Sequence, residues 1–385
     1  MRLLYNIAGL YRPAGMERVL SNKVNWLAAQ KGPDGEALYE IVIATTDQRG
    51  REVCFPLDGS LRTVDLGILY EENNGGSFLG KVLHYPFKQM RHRRRLARLI
   101  RKERPDIVIS MFCNDASFIP RLAHRTGAAA VLEIHFSRFK RLQYGRTGLW
   151  ALADRLRSEL DLHTVRRFDR FVVLTQEDRG YWGELPNIEV IPNARTFRIP
   201  EEKLCFESRR KEVIAVGRYS RQKGLERLIE AWNMVARECP DWTLRLVGDG
   251  EERDFLQKRI QDYGLEDRVI LGRSESDMES VYCSASILAL SSRYEGLPMV
   301  LLEAQAAGLP AVSFECKCGP RDVITDGVDG FLVEEGNVSD FADRLFELMR
   351  DEDLRRRMGE AAYRASERFD EEKIMKRWTD LLERL

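Results

Sequence analysis

The 385-residue sequence contains no uninterrupted apolar run approaching the roughly 20 residues that cross a bilayer. Its opening segment, MRLLYNIAGLYRPAG, breaks at Gly9 and Pro13 before a signal-peptide core could develop, so cytoplasmic synthesis and residence are the expectation. Cysteine is scarce: 7 residues lie scattered at 54, 113, 205, 239, 283, 316 and 318, an odd number without the spacing of a disulfide framework. Cys316 and Cys318 bracket a lysine, but no second pair and no nearby histidine supplies the remaining ligands of a tetrahedral zinc site. Structural thiols and no metal are therefore expected. Internal repeats and low-complexity tracts are also missing.

What remains describes a folded chain, 44% apolar and 32% charged, longer than one hydrophobic core usually serves. The formal net charge of zero conceals an asymmetry. Residues 1–200 carry 32 Lys+Arg against 22 Asp+Glu, and the remaining residues carry 29 against 39.

Short β-branched runs alternate with longer amphipathic stretches, the pattern of βαβ units and parallel sheets. In the first half the spacing predicts strands at Leu3–Ile7, Glu40–Thr45, Ile107–Met111, Ala129–Ile134 and Arg170–Leu174, with helices over Gly15–Ala29 and Lys88–Lys102. In the second half strands are expected at Val213–Val216, Thr243–Val247, Val269–Leu271, Ile287–Leu290, Ala311–Ser313 and Gly330–Val333. Helices over Leu225–Arg237, Glu251–Tyr263, Met278–Ser284 and Met299–Ala307 separate these. Each half reads as a doubly wound α/β domain. The polar stretch Pro192–Arg210 suits a linker, and the charged segment Leu354–Leu385, with helical apolar spacing, would cap the structure.

The most informative segment is RYEGLPMVLLEAQAAGLP, residues 293–310. Pro298 suits a first helical turn, and Gly308 and Pro310 supply the stop. The helix start, preceded by Gly296, offers backbone N–H groups and the positive end of a dipole to an anion. Glu295 precedes the helix and Glu303 lies about 7.5 Å along it at 1.5 Å per residue. A solvated helix face would explain Glu303 more simply, but its apolar surroundings make a carboxylate costly without partners, and ribose or hexose hydroxyls are suitable ones.

A second segment, VGRYSRQKGLERLIEAW (residues 216–232), places Arg218 and Lys223 on the loop between a strand and an amphipathic helix, positioned to meet a diphosphate unless they are merely surface cations. A third, LRLVGDGEERDFLQ (residues 244–257), has Gly248 and Gly250 where backbone can approach a ligand closely, although such pairs are frequent in α/β turns.

Two glutamates separated by seven residues in the context YEGLPMVLLEA resemble the signature of the family 4 retaining glycosyltransferases of the GT-B fold. The resemblance covers nearly the whole chain and is strongest over 213–333. It implies an α/β, GT-B architecture of two doubly wound Rossmann-like domains facing across a cleft. Residues 1–195 would bind acceptor and 196–368 nucleotide sugar, with a C-terminal helix at 369–385 packing back on the first domain. It further implies that Glu295 lies against the transferred sugar and Glu303 holds the nucleotide ribose. Gly296, Leu297, Pro298, Met299 and Val300 would cradle the diphosphate, with Arg218 and Lys223 stabilising the leaving group. By the same resemblance Gly248 and Gly250 border the donor pocket, Arg273 lies on the base-contacting loop and His135 touches the transferred sugar. Gly15 stands on the acceptor side, although this chain has Ala14-Gly15 where similar enzymes carry a glycine pair. Asn193 matches a Pro-Asn at the hinge, without assigned chemistry. The run Cys318 to Asp322 resembles that of polysaccharide transferases using hexoses or N-acetylated hexoses on UDP. Front-face attack is implied, with the protein supplying orientation and charge stabilisation and no metal or other cofactor required.

On the acceptor side, residues 88–104 hold nine Lys/Arg against one acid, with Met90, Leu96, Leu99 and Ile100 partly at helical spacing. Arg138, Lys140, Arg141 and Arg146 add a second basic cluster. The helix either packs on its domain or lies on an anionic membrane through the Arg93, Arg94, Arg95 region. A membrane fits an acceptor carried on undecaprenyl diphosphate; a soluble sugar-phosphate or thiol acceptor is the near rival, and a GT-B epimerase is further off. A nucleic-acid binder would use the same arginines, but the aromatic interleaving of a base-stacking surface is sparse, so no nucleic-acid partner is expected.

Overall fold

A computed structural model describes all residues except 74–77, 141, 143–146 and 205. Arg141 and Arg146 of the second basic cluster, and Cys205, thus lie outside the described residues. Seven strands build the first sheet: β1 Arg2–Ile7, β2 Glu40–Thr45, β3 Arg62–Asp65, β4 Ile107–Ser110, β5 Ala129–Glu133, β6 Arg170–Val173 and β7 Ile188–Val190. All pair parallel, in the order β3-β2-β1-β4-β5-β6-β7. The second sheet comprises β8 Glu212–Val216, β9 Thr243–Val247, β10 Val269–Leu271, β11 Ile287–Leu290, β12 Ala311–Phe314 and β13 Gly330–Val333. It is parallel in the order β10-β9-β8-β11-β12-β13. These are the two doubly wound Rossmann-like domains that the alternating pattern predicts.

The unexpected strands are the two edges of the first sheet. β3 has no buried residue and β7 only three residues in all, so neither carries an apolar alternation to read. The basic helix also starts earlier than Lys88: it spans Phe78–Glu103 with Pro86 inside it. The proline is accommodated within the helix although its ring removes a backbone donor there. Among the described residues, no helix is long and apolar enough to cross a membrane.

Alternate strand residues supply the two faces of the first sheet. Leu4, Val108, Leu132 and Phe171 face a core shared with Leu96, Leu99 and Ile100 of the basic helix. Tyr5, Ile43, Ile109 and Val131 face the other core, built with Leu20, Val24 and Leu27 of the helix Gly15–Ala28. The closing helix Glu371–Glu383 adds Ile374, Met375, Trp378, Leu381 and Leu382 to that second core. The chain therefore crosses to the second domain after β7 and returns near residue 370. Arg195 stitches the two crossings: its guanidinium donates to Ser366 Oγ at 2.8 Å and to Asp370 at 2.6 Å, and its backbone N–H to the Phe369 carbonyl.

Trp378 is 2% exposed, so truncation leaves a cavity in the first domain although the residue lies near the C-terminus. Trp378→Ala should lower stability by about 4 kcal/mol in urea unfolding; a loss below 1 kcal/mol would mean that this helix docks only loosely.

Candidate active site

The strand order of the second sheet reverses between β8 and β11, and in open α/β sheets the loops leaving such a reversal frame a crevice. Here they are residues 217–224 and 291–298, laced together by local hydrogen bonds. Ser291 Oγ donates to the Lys223 carbonyl at 2.9 Å, Arg293 N to the Gln222 carbonyl at 2.8 Å, and Gln222 Nε2 to the Tyr294 carbonyl at 2.9 Å. Between them Lys223 Nζ donates to Glu295 Oε1 at 2.7 Å, and the same oxygen accepts from Ser292 Oγ at 2.6 Å. The two charged side chains are only 18% and 9% exposed, so neither is a freely solvated surface charge.

Behind Glu295 runs the helix Met299–Ala306. Pro298 is not in its first turn but immediately precedes it in extended conformation, φ −71° and ψ 104°. The pyrrolidine's fixed φ suits either position, which is why sequence could not separate them. Leu297 is a core residue, 5% exposed, so only its backbone can serve a ligand. Met299 and Val300 are partly exposed. Glu303 does not wait for a ligand to satisfy it: Oε1 accepts from Thr196 Oγ1 at 2.9 Å and Oε2 from Tyr282 OH at 2.7 Å. Burial pushes its carboxyl above the usual range, opposed by those two hydrogen bonds and by the charges of Arg18 and Lys223.

Arg218 stands apart from Lys223. It is 73% exposed and its guanidinium is paired with Glu251 through Nε at 3.2 Å and Nη2 at 2.9 Å. Gly248 and Gly250 have a packing use that the sequence did not show. A Cβ at 248 would meet the Gly217 carbonyl oxygen at 2.0 Å, and one at 250 the Tyr219 carbonyl oxygen at 2.3 Å. The glycines let the loop after β9 pack on the loop carrying Arg218, so they shape that loop from behind. Arg273 is exposed beyond β10.

The first domain meets this constellation at two points. Gly15 opens its helix against Met299, whose Cγ would lie 3.9 Å from a Cβ at position 15. His135, following β5, touches Gly296: a Cβ on Gly296 would sit 2.5 Å from the His135 carbonyl oxygen and 2.9 Å from Phe136 Cα. The His135 side chain is 7% exposed, with Nε2 3.0 Å from Glu133 Oε1.

Several residues here escaped the sequence reading. Glu133 is buried with Lys23, whose Nζ donates to Oε1 at 2.5 Å and lies 3.5 Å from the centre of the Trp378 ring. Burial opposes ionisation of Glu133, but Lys23 and His135 outweigh it and hold the carboxyl down at about 2. The only hints were a glutamate inside the apolar strand AAVLEIH and a lysine on the buried face of the first helix. Asp322 is a third case. Its carboxylate accepts Gln176 N at 2.6 Å and Glu177 N at 3.3 Å, and so caps the first-domain helix Gln176–Trp182 from the second domain. The run 318–322, read as a hint of the donor, has this mechanical use in the fold. Arg138 and Lys140 are turned inward: Arg138 donates to the Tyr181 carbonyl, and Lys140 Nζ stands 4.4 Å over the Phe136 ring.

Two Rossmann-like domains, with the Lys223–Glu295 pair and a helix start at the reversal of one sheet and the His135 backbone against Gly296 from the other, define a two-domain α/β protein of the GT-B kind. The chain belongs to the glycosyltransferases of family 4: residues 14–194 match the glycosyl transferase 4-like domain and residues 199–365 the group 1 glycosyl transferases. It is 37% identical over 222 residues to the amylovoran biosynthesis glycosyltransferase AmsD of Erwinia amylovora, a match covering 56% of this chain and 62% of that protein. To the alpha-D-kanosaminyltransferase of Streptomyces kanamyceticus it is 30% identical over 268 residues, 64% of this chain and 68% of the relative. A mutant of S. aureus TarM, solved with fondaparinux, alpha-GlcNAc-glycerol and UDP, superposes over 99% of both chains at a TM-score of 0.76 and 16% identity.

Gly296→Ala must move either the 295–298 loop or the end of β5, because its new methyl group overlaps main chain. Small-angle scattering should show a more open molecule with the melting temperature nearly kept; an unchanged profile would show that the contact yields locally. Lys23→Met should cost about 3 kcal/mol, since it leaves Glu133 charged and buried, and adding Glu133→Leu should restore most of that in urea unfolding. The Glu133 carboxyl is depressed in the fold, so its contribution is present above about pH 4.5 and is lost as pH falls through about 2. The double variant should lack that part of the acid dependence.

Proposed function

We propose that this chain is a retaining hexosyltransferase that moves a hexose or N-acetylhexosamine from a nucleotide-diphosphate sugar, UDP-linked, to a saccharide acceptor carried on lipid, in surface polysaccharide or oligosaccharide biosynthesis. The observation that carries this reading is the Lys223–Glu295 pair at the start of the helix Met299–Ala306, with His135 of the other domain against Gly296. A diphosphate entering there meets Lys223, and the positive end of the helix dipole lies beside it. Arg218 can join by giving up Glu251, an exposed pair worth little. As negative charge develops on the leaving diphosphate, these groups stabilise it without rearrangement of the backbone.

Glu303 lies five residues into the helix, and its two oxygens each keep acceptor capacity beyond Thr196 and Tyr282, which suits the hydroxyls of a ribose. Glu295, held by Lys223 and Ser292, is placed to bind hydroxyls of the sugar, and His135 closes the site from the acceptor side. UDP as the carrier is supported by the TarM complex, and polysaccharide assembly by the amylovoran relative. The match spans 62% of the length of that relative, so the acceptor and pathway are part of the proposal.

A melting-temperature panel with UDP, GDP and ADP tests the donor reading. UDP at about a hundredfold excess over its Kd should stabilise the chain by about 2.7 kcal/mol, and the other two less. Glu303→Gln, which keeps a hydrogen-bonding side chain of the same size, should shrink the UDP shift while leaving the ligand-free melting temperature near that of the parent. Equal shifts from all three nucleotides, or none, would sink the reading.

A further inference from the structure

The helix Leu149–Val165 has leucines on its exposed side and polar groups on much of its buried side. Its inward residues are Asp154 and Ser158, 3% and 4% exposed, with Val165 and the partly buried Leu162 on the core at its C-terminal end. Its solvent face carries Leu152, Leu156 and Leu160, exposed by 55%, 59% and 62%. Spaced four apart, these three leucines form one continuous row. Single exposed leucines are ordinary on a soluble surface, but an ordered row opposite buried polar groups is the reverse of how a globular helix faces its core.

Cations outnumber acids around the row: Arg155, Arg157, Arg166 and Arg167 are exposed, and the exposed Glu159 beside Leu160 is paired with Arg138 at 3.7 Å. The basic helix Phe78–Glu103 covers the same face of the first sheet, because its Leu96, Leu99 and Ile100 share a core with Val165 and Phe168. It too shows large apolar groups to solvent, Phe87 at 67% and Met90 at 44%, among the exposed Arg91, Arg93, Arg94 and Arg98.

Two occupants compete for such a face. A second copy related by a twofold axis would set one basic domain against another, each holding 32 Lys+Arg to 22 Asp+Glu within residues 1–200, and like charges in apposition oppose association. An anionic bilayer complements both features at once, the leucines entering the acyl boundary and the arginines meeting phosphate. We propose that the leucine row Leu152, Leu156 and Leu160 is the element that inserts into an anionic membrane surface, with the arginines around it and on the neighbouring helix as its electrostatic guide. The inference rests on the lipid-carried acceptor reading for its purpose. Its test uses neither donor nor acceptor, so a failure to bind membrane is distinct from a failure to transfer sugar.

The full chain is cosedimented with phosphatidylglycerol–phosphatidylcholine vesicles and with pure phosphatidylcholine vesicles. Binding to the anionic vesicles, weakened by salt, is expected. The variant Leu152→Ser/Leu156→Ser/Leu160→Ser should lose about tenfold or more of that binding, with an unchanged melting temperature because the three side chains support no core. Undiminished binding by this variant, absent binding by the parent, or equal binding to both vesicle types overturns the proposal. A parent dimer in light scattering that the variant abolishes also overturns it, by assigning the row to a second copy.

Discussion

The arrangement depends on one close approach, that of Gly296 to the backbone of His135 and Phe136. Only a residue without a Cβ lets the loop after β11 lie against the end of β5, since a methyl group would come within 2.5 Å of a carbonyl oxygen. That contact sets the distance between two half-sites, each organised by its own domain. Glu295 is the residue before it in one chain segment, and Glu133 is two residues before His135 in the other. The neighbouring loop supports the same geometry: Gly319 N donates to Glu177 Oε2 at 3.1 Å, and Asp322 caps the helix that carries Glu177 in its first turn. Arg195 holds the two hinge crossings together from the opposite end. Main-chain packing and charge-assisted hydrogen bonds thus tie the domains together at this junction.

The two cations of the site are held very differently, and the difference has chemical consequences. Lys223 is mostly buried and already neutralised by Glu295, so an entering anion must share it with a carboxylate. Arg218 is mostly exposed, and Glu251 restrains it only weakly. In the transfer proposed above, the exposed arginine would follow a diphosphate as it arrives, whereas the lysine would provide fixed charge at a fixed distance from Glu295. A site in which every cation was mobile would lose orientation; one in which every cation was buried and paired would admit an anion slowly.

Residues close in sequence made much of this readable. The strands buried on both faces, the helix stop at Gly308, and Glu295 and Glu303 on one short segment follow from local spacing. Residues that act through distant partners were not readable. Lys23 and Glu133 are 110 positions apart and Thr196 and Glu303 are 107 apart, and nothing in either neighbourhood names the other. The packing use of Gly248 and Gly250 was hidden for a related reason: a glycine that admits a ligand and one that admits the neighbouring backbone look identical in sequence. The leucines at 152, 156 and 160 sit at ordinary helical spacing, and only the burial of Asp154 and Ser158 shows that the row faces outward.

Taken across the junction, the ion pairs form a single line. Trp378 covers Lys23, Lys23 neutralises Glu133, Glu133 stands against the His135 imidazole, the His135 carbonyl abuts Gly296, and Glu295 is neutralised by Lys223. Each carboxylate in this line has its own lysine, so each of the two pairs is close to neutral. A buried carboxylate facing a diphosphate without such a lysine would repel it through a medium that screens poorly. On the proposed function, the pairing of Glu133 with Lys23 does in the first domain what the pairing of Glu295 with Lys223 does in the second: it retains a hydrogen-bonding carboxylate and cancels its repulsion of an anion. The closing helix, by placing Trp378 over Lys23, ties this electrostatic balance to the hinge crossings that Arg195 holds together.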